Sequence, residues 1–415
     1  MNGNAHMTTT DRHINSEDER TVLQVIPTIS EDWGGPAVGS MHLRSALERL
    51  GVNAKLLAAR YPVGATVPKS STQVEVYPSS RPHVLENSWK LGLRILAVAR
   101  TTDWIHIHGQ YRLPTVYAYI AARLTATPYG LQPHGSMEPY QRAQSKVSKY
   151  VFDILVGKRI IRDASYVMFA SESERDNASD LVRDDQAFVN PLGAALSSTT
   201  AVAGLDRFYD GVPRNQSVLF LGRLAAKKRP DLLVRAWQQA FTEQARLCIA
   251  GPDSDFSAQA LGDLLPNPEL RKSMATPGSV NIEEKSWLFE KCGIFVLPSQ
   301  NENFGLTVAE AMLAGCHVIT TRATAASFHL IEAGCGEVLE DPHQDDIAAA
   351  LTRAFQNPEM VLESGARARA YAEANLTWSA TAGRLRERWS TNPSLATSSR
   401  RRVLSTGTST CPNSQ

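Results

Sequence analysis

Apolar residues fall along this chain in two rhythms. Short runs rich in β-branched and apolar types, at 21–29 (TVLQVIPTI), 54–58, 103–107 and 166–170, predict strands. Between them lie stretches with apolar positions at helical spacing, such as 38–50, which stops at Gly51, and 114–126. The opening unit is strand, glycine loop (EDWGGPAVG) and helix, and the alternation that follows predicts a parallel sheet covered by helices on both faces. The rhythm then restarts. A second opening strand at 217–221 (SVLFL) leads into GRLAAKKR and a helix from 230 to about 241. Strands follow at 246–250, 294–297 and 317–320, with helices near 283–291, 306–314 and 344–355. The pattern predicts an α/β protein of two doubly wound, Rossmann-like domains without residue-level repeats.

The boundaries follow from where the patterning lapses. Residues 1–20 are polar and read as a disordered N-terminus, with 1–7 (MNGNAHM) set aside from the fold. The first domain is expected at 21–195, a small, polar linker at 196–216, the second domain at 217–375 and one more helix at 376–390. The tail 391–415, rich in Ser, Thr and Pro, has almost nothing to bury and is expected to be disordered.

Composition narrows the picture. At 415 residues the chain is too long for one ordinary core. A formal net charge of +1 provides no global field to draw nucleic acid or lipid, so any such attraction must be local. Five scattered cysteines without a CxxC pair argue against a zinc site and a disulfide framework, and fit a reducing cytosol. No apolar run nears the ~20 residues that cross a bilayer, and the first twenty residues lack a signal peptide's apolar stretch. The expected location is cytoplasmic, with contact at a membrane surface left open.

Two segments carry the chemistry. In 299–310 (SQNENFGLTVAE) a strand runs through a loop into a helix starting near Leu306. Asn303, Phe304, Gly305 and Leu306 thus sit at a helix N-terminus, where unpaired amides and the dipole favour an anion such as a diphosphate, and Gly305 lets the backbone approach closely. Glu302 and Glu310 flank this turn, placed to accept hydrogen bonds from sugar and ribose hydroxyls. Taken alone, the segment reads equally as a structural turn with solvated acids. The second segment is 222–228 (GRLAAKK), where Arg223 and Lys228 stand five apart across a loop and can converge on the same diphosphate. Lys227 and Arg229 read as surface neighbours facing elsewhere. Asp253 and Asp255 (PDSD) are spaced like a metal-binding pair but follow a strand of the second domain, and no metal ligand set is expected.

Together these motifs resemble those of the family 4 retaining glycosyltransferases, which have the two-domain GT-B fold. Ser299, Glu302, Phe304, Gly305 and Glu310 match the family's SxxExFGxxxxE, and Gly222, Arg223 and Lys228 match its GR-x4-K phosphate signature. The segment 280–287 (VNIEEKSW) resembles the stretch before the nucleotide-base strand. Residues 373–378 (EANLTW) resemble the closing motif, after which a helix crosses back to the first domain. In the first domain Gly34 and Gly35 resemble the glycine loop that faces the donor phosphate across the cleft. His134 in QPHGSMEPY matches HGM-x-(D/E)-P of exopolysaccharide and lipopolysaccharide members, with Ser136 where that pattern has Met. The resemblance implies that His134 lies by the donor sugar. His106 and His108 (IHIHG) are expected to alternate, one facing the sheet and one the cleft, as structural or acceptor-lining residues.

Residues 141–163 interleave Arg142, Lys146, Lys149, Lys158, Arg159 and Arg162 with Val147, Tyr150, Val151, Ile154 and Leu155. The stretch reads as an amphipathic helix packed on the sheet; a basic face for an anionic leaflet or a polyprenyl-diphosphate acceptor is the other reading, and the two are compatible.

The resemblance implies a hexosyltransferase that retains anomeric configuration, needs no metal or other cofactor and uses a UDP- or GDP-linked sugar as cosubstrate. Attack is expected on the face from which the diphosphate leaves. Arg223, Lys228 and the amides at 304–306 would stabilise the leaving group, while Glu302 and His134 orient the sugar. The expected partners are the nucleotide sugar, a carbohydrate or lipid-linked oligosaccharide acceptor in a growing surface polysaccharide, and the inner leaflet through 141–163; nucleic acid is not among them. A GT-B enzyme on a small soluble acceptor and a non-catalytic nucleotide-sugar-binding protein remain the alternatives. A phosphorylase would need a cofactor lysine motif and a dinucleotide oxidoreductase a GxGxxG after an opening strand; neither is present.

Overall fold

A computed structural model describes residues 20–30, 33–60, 71–143 and 146–391, the side chains of 84, 140, 143 and 146 excepted. The two terminal stretches expected to be disordered, and Cys411 with them, lie outside these residues apart from Arg20 and Thr391.

Two parallel sheets form. The first joins β1 (Thr21–Thr28), β2 (Asn53–Arg60), β3 (Val74–Pro78), β4 (Trp104–His108), β5 (Tyr129–Gln132), β6 (Tyr166–Phe169) and β7 (Ala187–Val189) in the order β3-β2-β1-β4-β5-β6-β7. The second joins β8 (Ser217–Leu221), β9 (Arg246–Ala250), β10 (Met274–Gly278), β11 (Ile294–Leu297), β12 (His317–Thr321) and β13 (Glu337–Leu339) in the order β10-β9-β8-β11-β12-β13. Both orders reverse beside the opening strand, the switch point at which doubly wound sheets leave a crevice at the strand carboxyl ends. Strands β1, β4, β8 and β11 are almost wholly buried, as their continuous apolar runs require. The fold is thus the predicted pair of Rossmann-like domains.

The strands that sequence patterning passed over are short or half-buried. β3, β7, β10 and β13 lie at sheet edges. β5 is central but contains Gly130, which is there because the Tyr166 ring fills its space: a Cβ would stand 2.0 Å from Tyr166 Cζ. The stretch 196–216 carries Val202, Leu205 and Tyr209 into the core shared with the second domain. There the Tyr209 hydroxyl meets Cys292 Sγ at 3.4 Å, and Arg214 bonds the carbonyls of Phe289, Glu290, Ala314 and Gly315.

The last helix, Trp378–Ser390, crosses back onto the first domain, as expected. Trp389 is buried against it and donates to the Tyr166 hydroxyl at 3.1 Å, while Thr381 and Arg384 bond Pro191 O and Arg384 also bonds Asn190 Oδ1. Trp378, opening this helix, stacks on His42 of the helix Gly35–Arg49 with ring centroids 5.6 Å apart. Burying an indole contributes about 2–3 kcal/mol, so these two residues clamp the ends of the chain together.

Pro139–Ala143 and Lys146–Phe152 are helices, the latter running through a π-helical turn at Asp153–Gly157 into the helix Lys158–Arg162. Only the later part packs on the sheet, through Ile160 and Ile161. Val147, Tyr150, Val151, Ile154 and Leu155 are instead exposed, so the reading of the whole stretch as a sheet-packed helix is corrected: its first half presents an apolar stripe to solvent. No helix among the described residues is long and apolar enough to cross a membrane.

Candidate active site

Two helix N-termini meet at the crevice. The helix Gly35–Arg49 starts from Gly34 at φ 69°, and the helix Leu306–Leu313 from Gly305 at φ 88°. Neither has a side-chain cap, so their first amides are unpaired donors among the described residues. A Cβ on Gly35 would lie 3.3 Å from Leu306 Cδ1, which places the glycine loop of one domain against the start of the second domain's helix. Two positive dipole ends aimed at one volume make an anion site with no counter-charge built in. Gly305 is obligatory twice over: its φ is left-handed, and a Cβ would stand 2.7 Å from Thr324 Cγ2.

The basic loop enters the same volume. Gly222, at φ 154°, leaves room for Lys228, whose Nζ would lie 2.9 Å from a Cβ there. Lys228 Nζ in turn lies 3.0 Å from Glu302 Oε2, both side chains largely buried. The contact is an ion pair without hydrogen-bond alignment, which leaves Glu302 Oε2 without a hydrogen-bond partner and available to a hydroxyl. Arg223 is exposed and has no side-chain partner among the described residues. Lys227 O accepts from Gln300 N at 2.8 Å, tying the two loops together while its side chain is exposed, and Arg229 pairs with Asp231. Asp253 and Asp255 accept from the amides of Ala258 and Ala226 and act as turn caps.

Glu310 lies on the buried face of its helix, its Oε1 2.5 Å from Lys285 Nζ. Burial raises its pKa, and the ammonium of Lys285 works against that shift. Phe304 is buried edge-on to His329 and holds the turn from below. Ser299 is fully buried with its hydroxyl unpartnered, and Asn303 Oδ1 is likewise buried and unpartnered.

From the first domain, the loop after β5 brings His134 and Gly135 in through two consecutive left-handed residues, φ 53° and 77°, closed by Ser136 N to Pro133 O at 3.1 Å. A non-glycine residue held there is strained by roughly 1–3 kcal/mol, which the surroundings must offset. Glu174 supplies part of this: its buried carboxylate accepts from Gly135 N at 2.6 Å and Ala170 N at 2.7 Å. Burial pushes its pKa up to about 7 against the pull of those two donors. Gly135 faces Asn303, whose Cγ would be 3.1 Å from a Cβ there, so the two loops touch across the crevice.

His106 and His108 do not divide between sheet and cleft. Residues two apart on a strand share a face, and their rings meet edge-on at 4.6 Å. His106 is structural: Nδ1 accepts from the Tyr166 hydroxyl at 2.9 Å, and Nε2 donates to Gln132 Oε1 at 3.1 Å. His108 instead connects to the site. Gln24 Oε1 lies 2.8 Å from its Nε2, and its Nδ1 lies 3.0 Å from His134 Nε2. The amide oxygen can only accept, so His108 is protonated on Nε2 and accepts on Nδ1; His134 then donates through Nε2. That leaves His134 Nδ1, which has no partner among the described residues, as a lone-pair acceptor. Burial lowers the pKa of His134 to about 3, so the ring is neutral.

Of the residues singled out from sequence, the structure brings Gly35 against Leu306, the His134–Gly135 loop against Asn303, and Lys228 against Glu302; among the described residues, Arg223 and Glu310 share no side-chain contact with these. Gln24, Glu174 and Lys285 are site neighbours that the sequence does not single out, whereas His108, expected as structural or acceptor-lining, is the histidine of its pair that reaches His134. The Ser171/Glu174 spacing signals only a helix cap, and Ser171 does cap it, accepting from Glu174 N at 3.1 Å.

Two Rossmann-like domains that face each other across such a crevice have the GT-B arrangement. Comparison with known proteins agrees. Residues 211–373 match the family model for glycosyl transferases group 1, and residues 34–193 match that for the glycosyl transferase 4-like domain, so each half of the chain is similar to a glycosyltransferase domain. Among similar proteins is a D-inositol 3-phosphate glycosyltransferase of Pseudarthrobacter chlorophenolicus, 31% identical over 55% of this chain and 56% of its own length. One of Kineococcus radiotolerans is 29% identical over 66% and 69%. The match thus spans little more than half to two thirds of these relatives. Similar solved structures include Anabaena Alr3699/HepE in complex with UDP and glucose, with TM-score 0.67, 18% identity and coverage of 89% and 99%. Sucrose-phosphate synthase from Thermosynechococcus elongatus has TM-score 0.70, 20% identity and coverage of 94% and 100%. At these identities they support the fold alone.

Proposed function

We propose that this enzyme moves a hexose from a UDP- or GDP-linked donor to a hydroxyl of a growing, lipid-carried surface polysaccharide, with retention of anomeric configuration and without a metal. The observation that supports the donor half is the proximity of two uncapped helix N-termini to each other and of Lys228 to Glu302 beside them; in this reading exposed Arg223, on the same loop as Lys228, joins them on the diphosphate. Charge develops on the departing diphosphate as the glycosidic bond breaks, and preorganised donors there act without reorganising. Lys228 moves from Glu302 toward the phosphate, and Glu302 then accepts from hydroxyls of the sugar. Glu310 takes the ribose hydroxyls. His134 Nδ1 accepts from a further sugar hydroxyl, and Gly34 and Gly35 bring the first domain's amides to the phosphate. The acceptor hydroxyl attacks on the face the diphosphate leaves, passing its proton to the departing β-phosphate oxygen. In this account the domains divide as 21–195 for the acceptor and 217–375 for the donor, with 196–216 joining them and 376–390 crossing back. The enzyme works in the cytoplasm against the inner leaflet, which 141–163 contacts.

A second reading is favoured by the names of the relatives, which act on D-inositol 3-phosphate. A small phosphorylated polyol would fit the cavity of about 620 Å³ lined by Tyr111, Arg142, Lys149 and Asp153 in the first domain. The test is nucleotide release from UDP- and GDP-hexoses with a polyprenyl-diphosphate oligosaccharide or an inositol phosphate as acceptor, with the product's anomeric configuration read by NMR. Transfer with retention to the lipid-linked acceptor supports the first reading. Transfer only to the inositol phosphate selects the second, and no donor turnover under either condition rejects both.

A further inference from the structure

The exposed stripe at 147–155 is one part of a larger face. In the first sheet the steps β3→β4, β4→β5 and β5→β6 all run in the same direction, so right-handed crossovers put their helices on one side of the sheet. The step β1→β2 runs the other way and puts Gly35–Arg49 on the opposite side. The buried residues agree. Leu91 and Ile95, Ala118 and Ala122, and Ile160 and Ile161 share one core, whereas Leu43, Leu47 and Trp389 belong to the other. The helices Trp89–Ala99 and Leu113–Thr125 and the helical stretch 146–162 therefore form a single layer. Adjacent members are tied together: Tyr119 donates to Asp163 at 2.9 Å, and Tyr111 meets Phe152 edge-on at 5.3 Å.

All three helices turn large apolar side chains outward. Trp89 and Leu93 stand one turn apart on the first, and Ile120 and Leu124 on the second; with the stripe of the third they are between 47 and 78% exposed. A run of apolar residues at i, i+3, i+4, i+7 and i+8 is the signature of a helix face that is covered, yet nothing among the described residues covers this one. Charge is as uneven. The stretches 89–100, 113–125 and 146–163 hold nine Lys or Arg and only two Asp, in a chain whose formal charge is +1 overall. Both Asp are engaged within the layer, Asp163 by Arg162 and Tyr119 and Asp153 by Tyr111.

We propose that this whole layer, rather than 141–163 alone, is a docking face for an anionic lipid surface. Trp89, Leu93, Ile120, Leu124 and the 147–155 stripe enter the headgroup boundary while Lys90, Arg123, Lys158, Arg159 and Arg162 meet lipid phosphates. A protein partner would have to match a large cationic surplus and an apolar stripe at once, a combination that an anionic leaflet presents everywhere. The inference deepens the membrane contact proposed above and rests on that reading, since a small acceptor in the cavity beside Asp153 would take up Val147 and Tyr150.

The test is co-sedimentation of the full chain with vesicles of phosphatidylcholine alone or mixed with phosphatidylglycerol, in the absence of substrates. Binding to the anionic vesicles only, weakened by salt, is the expected result. Lys158→Gln with Arg159→Gln should weaken it roughly 25-fold, at about fivefold per cation. Leu93→Ser with Leu124→Ser should weaken it at least tenfold, since both residues lie outside 141–163. Donor hydrolysis in solution and thermal midpoints should stay at wild-type values in both variants, which keeps a failure of docking separate from a failure of the glycosyltransferase assignment. Equal binding to neutral vesicles, or an unchanged Leu93→Ser/Leu124→Ser variant, overturns the three-helix face. So does sedimentation as a dimer that these substitutions dissociate, because the occupant would then be a second copy.

Discussion

Replacing Lys228 by Met separates the two roles that the structure gives this side chain. Its ammonium sits 3.0 Å from Glu302, with side chains only 14% and 18% exposed. Coulomb attraction of ~5–6 kcal/mol at that range is an upper figure, and solvent screening with the entropy of fixing two long chains reduces the expected stability loss to ~1–2 kcal/mol. For a domain of this size such a loss lowers the thermal midpoint by roughly 3–6 °C, which leaves the enzyme folded at 25 °C. The rate effect should be much larger. Losing one preorganised donor to the leaving oxyanion costs about 10²–10³ in turnover, or roughly 3–4 kcal/mol of barrier. The combined variant Lys228→Met/Glu302→Gln removes the unpaired carboxylate, so it should recover the thermal midpoint but not the rate. Arg223→Ala is a cleaner companion: the residue is exposed and unpaired, so stability should stay within ~0.5 kcal/mol while turnover falls by a similar 10²–10³. Nucleotide release at saturating donor, beside thermal melts, measures both quantities. Near-wild-type turnover in both single variants would refute the phosphate assignment.

Glu310→Ala should raise the donor KM and weaken UDP or GDP binding in calorimetry by ~1–3 kcal/mol, because two ribose hydroxyls lose a charged acceptor; an unchanged KM would end the ribose role. Gln24→Met should release the His108–His134 tautomers, visible as mixed imidazole ¹⁵N signals, and lower kcat by roughly 3–10-fold, whereas Gln24→Glu keeps an acceptor and should preserve both; a single unchanged tautomer in Gln24→Met would count against the relay. Glu174 has a raised pKa, so its folded-state contribution is fully present below its ordinary value of 4.5 and is lost as pH rises through about 7. Relative to Glu174→Gln, wild-type stability in urea should therefore fall by about 3 kcal/mol between pH 4.5 and 8, and parallel pH curves for the two proteins would contradict this. Trp389→Ala should cost ~3–5 kcal/mol by emptying the contact between the crossover helix and Tyr166, read as an early melt of the first domain.

Much of this was legible in the sequence because long, buried, parallel strands must be apolar throughout and glycine is favoured where φ is left-handed, although His134 holds such a φ with a side chain. Runs such as 217–221 and 294–297 and the turn at Gly305 follow directly from those constraints. Edge strands such as Val74–Pro78 escape because only one side of each is packed, and Tyr129–Gln132 because its glycine answers to a ring 36 residues later in the chain. Of the motif residues, Lys228 meets Glu302 and Gly35 meets Leu306. What spacing cannot convey is the partnership between distant polar groups: Glu174 reaching Gly135, Lys285 reaching Glu310, Gln24 reaching His108. Each joins elements that only the tertiary fold brings together. The stripe at 147–155 is legible as amphipathic, but whether its apolar face is covered depends on how the helix rolls on the sheet.

The central claim is that a diphosphate is gripped where the helices starting at Gly35 and Leu306 meet the Arg223–Lys228 loop. A crystal structure of the full chain soaked with UDP or GDP tests it most directly. The account predicts phosphate oxygens within hydrogen-bond reach of the Gly305 and Leu306 amides, Lys228 turned from Glu302 onto the phosphate, and Glu310 on the ribose. A nucleotide bound elsewhere, with Lys228 still on Glu302 and Glu310 remote from any sugar ring, would contradict it.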